Sequence, residues 1–420
     1  MTARRIAVVG AGWAGLAMAV EATQAGADVT LFEMAPQAGG RARSVGELDN
    51  GQHICIGAYR AVLRLMATVG ISEGDAFVRM PLTLVDSDGF GLRLGAGAPR
   101  PAFALAVLRR RGWRWRERLA LLRLAAHWSR SKFACAPAAT VADLCVGLPE
   151  RVRRDFIDPL CVAALNTPAA EASGSVFLRV LHDALTSGPG SADLLLPRLG
   201  LSDLLAMPAT RWLAARGAKL RLAHRVERVE RDASGWRVDG APFDRVVLAA
   251  SAVESARLAA AHAPAWAAAA MALRYEPIVT VYARSAGCRL PEPMLALAAS
   301  STAPAQFVFD RGRLGGADGL LAFVVSGAAD WVERGSQAVE AAALAQARQA
   351  LAPYLAGPLE VERTIVEKRA TFACTPGLAR PPDRVAEGLF AAGDFVDGPY
   401  PATLEGAVRS GVAAAAAALA

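Results

Sequence analysis

Short apolar runs at the start of the chain alternate with glycine and with a longer amphipathic stretch. Residues Arg5–Val9 predict a buried parallel strand, and Asp28–Glu33 predict a second one. Between them, residues 14–26 predict a helix that ends at Gly26. This strand–helix–strand order within about 30 residues is typical of a βαβ unit.

The same reading predicts elements of mixed type along the rest of the chain. Helices are expected over residues 140–190, where prolines interrupt them, over 204–216 before Gly217, and over 338–351. The expected strands are Lys219–Ala223, Arg225–Arg231, Trp236–Val238, Arg245–Ala250, Val279–Ala283 and Leu320–Val325. Residues 388–420 predict a strand, a glycine-rich turn and a final helix.

A chain of 420 residues with 54% hydrophobic positions exceeds one ordinary core and predicts two domains. We predict an α/β fold in which a Rossmann-like dinucleotide-binding domain is interleaved with an α+β substrate domain. The first domain takes residues 1–75, 196–252 and 366–420. The second takes residues 76–195 and 253–365.

The turn after the first strand carries the chemistry of a dinucleotide site. Gly10, Gly12 and Gly15 match the GxGxxG pattern, and we expect them to contact the cofactor together with Ala11 and Ala14, which lie between them. The first glycine permits the tight turn, the second allows a diphosphate to approach, and the third allows close helix packing. The start of the helix then offers free N–H groups and a positive dipole end to phosphates.

An acid ends the second strand, as such a site requires. Glu33 lies 21 residues beyond Gly12, where a carboxylate can accept hydrogen bonds from ribose hydroxyls. Met34 follows it directly and is also expected to contact the cofactor. An acid here favours an unphosphorylated adenosine ribose, so the pattern indicates FAD or NAD rather than NADP.

The residues after Glu33 resemble those of a known superfamily, and this resemblance favours FAD over NAD. Gly39, Gly40, Arg41 and Ser44 fit the pattern GGRxxS, which resembles the flavin-containing amine oxidase and phytoene desaturase superfamily. The resemblance implies FAD and a dinucleotide domain of the glutathione-reductase type. It also implies that Gly40, Arg41 and Ala42 contact the cofactor, and a guanidinium can bind two phosphate oxygens.

The end of the chain resembles the same superfamily independently. Gly393 and Asp394 close a predicted strand, and the resemblance implies that they meet the ribityl and diphosphate region. Thr403, Leu404 and Ala407 open the last helix, whose free N–H groups would face the flavin. Between the two ends, the resemblance implies that the Val226 backbone meets adenine. On pattern alone, the segment around Val226 also fits a plain β-hairpin.

Two further sequence segments narrow the resemblance to one group within this superfamily. Residues 49–59, with Gln52, His53 and Ile54, and residues 401–411 resemble bacterial hydroxysqualene dehydroxylases, also called squalene-associated FAD-dependent desaturases. The resemblance covers most of the chain and is dense only near its ends. It implies cofactor contacts for those three residues, and reduction of an allylic isoprenoid alcohol to squalene for hopanoid synthesis. The alternatives are another desaturase or amine oxidase of the superfamily, or a flavin-free lipid carrier with the same fold.

Loss of hydroxide from an allylic alcohol needs a proton donor, and the sequence offers two candidates. His53 is the first, with a purely structural imidazole as the alternative. Glu405 is the second, provided that an apolar environment raises its pKa. The alternative for Glu405 is a carboxylate stabilised by the dipole of the last helix.

Residues 100–135 are rich in arginine and tryptophan. Arg116, Arg123, His127 and Arg130 fall on one face of a predicted helix, with Leu121, Leu124, Ala125 and Trp128 on the other. This pattern fits a helix at a membrane surface, and equally a solvated basic face over ordinary core. Nucleic acid is a third partner for basic residues, but no DNA- or RNA-binding signature accompanies them, so we expect none.

The remaining composition indicates a cytoplasmic protein. The six cysteines show no metal-binding spacing and are expected to be reduced, buried and apolar in role, so no metal is expected. Glycines break the first apolar run too early for a signal peptide, and no run reaches the ~18 apolar residues of a membrane span. The net charge of +7 suits an anionic cofactor or the inner face of the cytoplasmic membrane. The sequence leaves open whether the chain forms a homo-oligomer.

Overall fold

The computed structural model describes residues 3–233 and 235–420. Residues 1, 2 and 234, which belong to the predicted segments 1–75 and 196–252, lie outside the described part. The strands, in chain order, are β1 Arg5–Val9, β2 Asp28–Phe32, β3 Ser44–Val45, β4 Leu48–Asp49, β5 Cys55–Ile56, β6 Phe77–Met80, β7 Thr83–Val85, β8 Gly91–Arg93, β9 Leu194–Pro197, β10 Lys219–Arg221, β11 Val229–Asp232, β12 Gly235–Val238, β13 Ala241–Phe243, β14 Arg245–Leu248, β15 Tyr275–Arg284, β16 Met294–Ala296, β17 Phe307–Asp310, β18 Leu320–Val325, β19 Glu360–Phe372, β20 Arg384–Ala386 and β21 Leu389–Ala391.

The helices vary from single turns to four turns and more. They are α1 Trp13–Gln24, α2 Arg60–Thr68, α3 Glu73–Ala76, α4 Pro99–Arg109, α5 Trp115–Arg130, α6 Val141–Leu144, α7 Glu150–Val152, α8 Asp158–Leu165, α9 Gly174–Thr186, α10 Met207–Ala214, α11 Ala252–Ala259, α12 Pro264–Met271, α13 Ala329–Arg334, α14 Ser336–Ala350 and α15 Leu404–Leu419. Two π-helical turns, Arg153–Ile157 and Ser202–Ala206, lead into α8 and α10.

A six-stranded sheet in the order β10-β2-β1-β14-β21-β20 joins distant parts of the chain. Its first five strands run parallel, and β20 pairs antiparallel with β21. The central strand β1 is buried on both faces, as its unbroken apolar sequence predicts. Helices α1 and α15 pack closely against each other, since a Cβ at Gly411 would lie 2.2 Å from the Ala14 carbonyl oxygen. The predicted α/β, Rossmann-like fold is confirmed.

A second, antiparallel sheet has the order β16-β17-β18-β15-β19. Strand alternation places Val279, Val281 and Phe323 on one face, where they pack with Val339 and Ala343 of α14. The other face carries Tyr282, Phe307, Phe309 and Val324, and part of it borders the cavity described below. This second face is therefore the structural origin of the site's apolar wall.

The predicted domain boundaries meet continuous strands at two places. The boundary at 195/196 falls inside β9, and that at 365/366 falls inside β19. A strand is a single stiff segment, so the chain crosses between the two regions without a linker at these points. The domain division itself stays a prediction.

One predicted strand is shorter than expected. The sequence predicts a strand over Arg225–Arg231, but the paired strand β11 begins at Val229. The Asp239 carboxylate accepts the N–H groups of Glu227 and Arg228 at 3.0 and 2.9 Å, which takes the place of strand pairing there.

The basic segment 100–135 forms helices α4 and α5, and its predicted apolar face belongs to the core. Leu121 is fully buried and Trp128 is 5% exposed, with the Trp128 ring 6.3 Å from that of Phe177. Of the two alternatives, this burial supports a solvated basic face over ordinary core for α5. The exposed apolar side chain of α5 is instead Trp115, which is 61% exposed at its first residue. Among residues 3–233 and 235–420, no helix combines the length and hydropathy needed to cross a bilayer.

Candidate functional site: a cavity between the two sheets

The glycine-rich turn forms one end of the cavity. Gly10 has φ +111°, and its N–H donates to the Phe32 carbonyl at 2.7 Å. A Cβ at Gly15 would lie 1.9 Å from the Gly10 carbonyl oxygen, so only glycine lets α1 pack this closely on β1. A Cβ at Gly12 would meet no atom within 4 Å. The space beside Gly12 is thus open towards the cavity, as a bound diphosphate requires.

Glu33 holds this turn together and faces the cavity. Its Oε2 accepts the Ala11 N–H at 2.8 Å, and its Oε1 accepts the Ala35 N–H at 2.9 Å. Ala11 itself is buried and points away from the cavity, which corrects the expectation that it contacts the cofactor directly. Because each carboxylate oxygen has two acceptor positions, both retain capacity for ribose hydroxyls.

The predicted motifs from the two ends of the chain meet at Arg41. Its guanidinium forms an ion pair with Asp394, and it also donates to the Ala370 carbonyl at 2.8 Å. The preceding turn is fixed by the Gly39 N–H, which donates to the Ala11 carbonyl at 2.8 Å. A Cβ at Gly40 would lie 3.1 Å from the Cα of Gly12. The two motifs therefore form one continuous rim.

Helix α15 starts at the cavity. Thr403 caps it, since its hydroxyl oxygen accepts the Gly406 N–H at 2.9 Å, and Leu404 and Ala407 line the cavity wall. The close turn depends on Gly406, because a Cβ there would lie 1.9 Å from the Tyr400 carbonyl oxygen.

Glu405 points the other way. It is fully buried, and its carboxylate accepts the N–H groups of Ala61 and Val62 at 3.1 and 3.0 Å, at the start of α2. Arg409 donates to the same carboxylate at 2.7 Å. Three donors thus occupy the Glu405 carboxylate, and Glu405 does not line the cavity. The structure thus corrects the expectation of a proton donor here: Glu405 anchors the start of α2 to α15.

The segment after β4 forms a side wall of the cavity. The Gln52 side-chain oxygen accepts from Arg311 at 2.8 Å, and Arg311 in turn lies 3.6 Å from the Asp49 carboxylate. The His53 Nδ1 lies 3.3 Å from the Gly51 carbonyl oxygen, which can only accept, so Nδ1 carries a proton. Burial lowers the pKa of His53. The imidazole is therefore neutral near pH 7, which disfavours a role as a charged acid.

Cationic side chains surround the outer part of the cavity. Arg257 donates to the Val226 carbonyl at 2.6 Å and pairs with Glu254 at 2.8 Å. The cavity is also lined by Arg43, Arg225, Lys368 and Arg369. Sequence reasoning did not assign a role to these cations, because basic residues are common on surfaces and no spacing between these four marks a site.

The inner part of the cavity is apolar, and this wall was also missed. It is lined by Ile278, Phe307, Phe309, Val324 and Ile365, from four strands of the second sheet. The sequence predicted two of these strands, β15 and β18. The face that each turns to the site depends on pairing between distant segments, which alternation alone does not give.

The cavity as a whole has a volume of about 750 Å³. The predicted cofactor residues that line it are Gly10, Gly12, Ala14, Glu33, Met34, Gly40, Arg41, Ala42, Gln52, His53, Ile54, Val226, Gly393, Asp394, Thr403, Leu404 and Ala407. Ala11 and Gly15 support the turn from behind. The individual contacts of these residues with a cofactor stay a proposal.

These features fit a flavin dinucleotide. The open space at Gly12, the carboxylate of Glu33 and the start of α15 are placed around one cavity, and an apolar chamber adjoins them. Fold and site together define an FAD-dependent oxidoreductase.

The chain belongs to the flavin containing amine oxidoreductase family, whose model matches residues 13–419. It is 27% identical to a hydroxysqualene dehydroxylase of Sinorhizobium fredii, over 98% of this chain and 97% of that protein. It is 28% identical to a hydroxysqualene dehydroxylase of Rhodopseudomonas palustris, with the same coverage. The family predicted from the sequence and its FAD cofactor are confirmed.

Solved structures share the fold at low sequence identity. An oxidoreductase from Methanosarcina mazei aligns with a TM-score of 0.73 at 15% identity, over 98% of this chain and 100% of that chain. Cyclohexylamine oxidase from Brevibacterium oxydans aligns with a TM-score of 0.69 at 18% identity, over 99% of both chains.

Proposed function

We propose that this enzyme reduces hydroxysqualene, an allylic isoprenoid alcohol, to squalene. One observation carries the proposal: the apolar chamber between the sheets is continuous with the dinucleotide end of the same cavity. A long hydrocarbon chain needs such a chamber, because burial of its apolar surface supplies most of its binding free energy. The names of relatives that cover nearly the whole chain support the same substrate.

The proposed reaction balances with reduced FAD as the reductant. The carbon–oxygen bond of the alcohol breaks, a carbon–hydrogen bond forms, and two electrons and a hydrogen come from the reduced cofactor. The departing oxygen takes up a proton and leaves as water. Bound FAD supplies the hydride chemistry, and the chain supplies a dry site that binds and orients the alcohol.

In this proposal His53 acts as a neutral group. Its Nδ1 proton is directed to Gly51, so Nε2 is left as a hydrogen-bond acceptor. A neutral imidazole on the cavity wall can accept the hydrogen of a substrate hydroxyl and so orient the carbinol. The proton for the departing oxygen then comes from another donor, because the Glu405 carboxylate is buried away from the cavity.

The experiment is a single-turnover reaction under anaerobic conditions. Photoreduced enzyme is mixed with hydroxysqualene in detergent, and squalene is measured by gas chromatography with mass detection. Squalene is expected in amounts that match the reoxidised flavin, and none is expected from oxidised enzyme. Turnover of amines or carotenoid precursors without any squalene would overturn this substrate in favour of another family reaction.

A role in hopanoid synthesis can be tested in cells. If the reaction supplies squalene for hopanoid synthesis, deletion of the gene in a hopanoid-producing host should deplete squalene and accumulate hydroxysqualene. A normal squalene level in the deletion strain would exclude this pathway role.

We also propose that the turn between α4 and α5 contacts the cytoplasmic face of a membrane. Trp115 is 61% exposed, and Arg111, Arg114 and Arg116 are exposed around it. The nearby Glu117 carboxylate accepts the Arg114 N–H at 2.6 Å, so this acid is engaged in capping α5. A cationic turn with an exposed indole suits anionic lipid headgroups.

Co-sedimentation with vesicles that contain anionic lipid tests this proposal. Combined Trp115→Ala and Arg114→Glu substitutions should lower the bound fraction several-fold without loss of flavin. A matched control is Trp212→Ala with Arg216→Glu, a stacked pair elsewhere on the surface whose guanidinium carbon lies 3.8 Å from the ring centre. Equal binding by both double variants would refute a specific role for the α4–α5 turn.

A further inference from the structure

One tyrosine lines the cavity where the dinucleotide end meets the apolar chamber. Tyr275 is the first residue of β15, the strand that also contributes Ile278 to the chamber wall. Its phenol is half-buried, and its hydroxyl forms no hydrogen bond with the residues that the structure describes. The hydroxyl is also absent from the closed-off polar atoms of the described residues, so it is open to a molecule in the cavity.

An irregular strand pairing places positive charge beside this phenol. Opposite Pro277 of β15, three residues of β19, 368–370, form a bulge. Proline has no N–H to donate, so the ladder is interrupted there. The Ala370 carbonyl in the bulge accepts a hydrogen bond from the Arg41 guanidinium at 2.8 Å, and Arg369 of the same bulge lines the cavity. The bulge therefore brings two guanidinium groups to this part of the wall.

The charges around the phenol suit a group that gives up a proton. Arg41 and Arg369 act on Tyr275 as positive charges and Asp394 as a negative one, and Asp394 is already paired with Arg41. Burial raises the pKa of Tyr275, so the phenol keeps its proton at neutral pH. Two neighbouring guanidinium groups stabilise the phenolate once the proton has left. These are the properties of a general acid.

The other candidate groups on the wall are less suited to this role. Tyr59 also lines the cavity, but burial and the nearby Glu405 carboxylate raise the pKa of its hydroxyl, so charge opposes a phenolate there. His53 is neutral, because burial lowers its pKa. Arginine side chains stay protonated in proteins and do not serve as proton donors.

We propose that Tyr275 is the catalytic residue that protonates the departing hydroxyl of the substrate. The inference rests on the proposed function and names the proton donor that this reaction needs. The carbon–oxygen bond of the alcohol breaks, the phenolic proton passes to the oxygen, and water leaves. The allylic carbon receives hydride from reduced FAD, which replaces the electron pair that left with the oxygen. The Tyr275 phenolate regains a proton from solvent after the product has left.

The test follows flavin reoxidation in a single turnover of photoreduced holoenzyme with hydroxysqualene, under anaerobic conditions in detergent. Tyr275→Phe should slow this step roughly 100-fold or more, which is a usual contribution of a general acid. Its urea midpoint and its FAD content should match those of the parent, because the lost hydroxyl bonds to no described residue. Tyr354→Phe is the matched control. It removes a phenol outside the cavity, whose hydroxyl donates to the Ser87 carbonyl at 2.9 Å, and should keep the parent rate.

The pH dependence separates proton donation from a structural role. The charged groups that act on the phenol or belong to the neighbouring bulge are those of Arg41, Glu367, Lys368, Arg369 and Asp394. Side chains of these types do not ordinarily titrate between about pH 7.5 and 9, so the parent rate should be flat in this range. In Tyr275→Phe the residual rate should rise as the pH falls, because solvent must then supply the proton. A purely structural role would lower the rate by the same factor at every pH.

The outcomes distinguish the inference from the function on which it rests. A parent enzyme that forms no squalene would refute the proposed function and with it the inference. If the parent forms squalene and Tyr275→Phe does so at the same rate, only the role of Tyr275 is refuted, and a slow Tyr59→Phe or Lys368→Met variant would identify the donor instead. Loss of FAD from Tyr275→Phe, or a rate loss that is equal at every pH, would also refute proton donation. Tyr275→Leu gives the same test if the phenylalanine variant does not fold.

Discussion

Substitution by alanine should have different effects at two glycines of one turn, Gly12 and Gly15. Gly12 has φ −70° and ψ 177°, which alanine adopts without strain, and an added Cβ meets no atom within 4 Å. Gly15 has no such space, because its Cβ would lie 1.9 Å from the Gly10 carbonyl oxygen and 3.1 Å from the Ala249 Cβ. Gly12→Ala should therefore affect the cofactor, and Gly15→Ala should affect the fold.

The magnitudes follow from these distances. In Gly12→Ala, the reduced flexibility of the unfolded chain stabilises by about 0.4–1 kcal/mol, and the less favourable N-cap residue costs about as much. The apoprotein should thus stay within about 1 kcal/mol of the parent. A methyl group in the space for the diphosphate should weaken FAD binding by about 1–3 kcal/mol, roughly 5- to 150-fold. Gly15→Ala pushes backbone against backbone and should lower the free energy of unfolding by about 3 kcal/mol or more.

Urea denaturation of the two apoproteins and fluorescence titration with FAD measure both effects. Gly12→Ala should unfold near the parent midpoint and bind FAD weakly. If Gly12→Ala binds FAD as tightly as the parent, the open space beside Gly12 does not receive the diphosphate, and the assignment of this end of the cavity fails.

Three further predictions use the carboxylates and the imidazole. Glu33→Gln should weaken FAD binding by about 1.5–3 kcal/mol in a titration, because the new NH2 group replaces a carboxylate oxygen and faces a backbone N–H. An unchanged affinity for FAD would contradict the proposed contact of Glu33 with the ribose. Glu405→Gln should lower the free energy of unfolding in urea by about 1.5–3 kcal/mol, while the pH profile of turnover keeps its shape. The control variant Glu21→Gln breaks an exposed ion pair with Arg64 and should lower the free energy of unfolding by less than about 1 kcal/mol. Burial lowers the pKa of His53, so His53 takes up a proton when the protein unfolds at mildly acidic pH. The free energy of unfolding should therefore fall as the pH drops below about 6.5. His53→Gln should remove that part of the pH dependence, measured by urea denaturation.

The dinucleotide end of the site could be predicted from sequence because its requirements are local. A strand, a tight turn and a helix start are encoded by Gly10, Gly12 and Gly15 within a few residues, and backbone geometry allows little else at these positions. The acid Glu33 is equally local, since it directly follows β2, the strand next to β1 in the sheet. The pairing of Arg41 with Asp394 needed knowledge of the family, because 353 positions separate the two residues.

The direction of a side chain is the property that local sequence does not encode. Glu405 stands in the first turn of α15 beside two residues that line the cavity, yet its carboxylate turns to α2 and Arg409. The apolar face of α5 was correctly identified as apolar, but core and membrane both satisfy that pattern. Only the position of the neighbouring helices decides between them, and the contact of Trp128 with Phe177 places this face in the core.

The apolar chamber lacks any motif for a physical reason. Burial of a hydrocarbon chain depends on the area and shape of the wall and hardly on which aliphatic or aromatic residue provides it. Phe307, Val324 and Ile365 could therefore be exchanged for similar residues with little loss of binding, and no fixed spacing marks them. A hydroxyl on such a wall is different, because its hydrogen bond needs one atom at one place. Recognition of the substrate hydroxyl in this enzyme should thus be concentrated in the few polar groups of the cavity wall, such as His53.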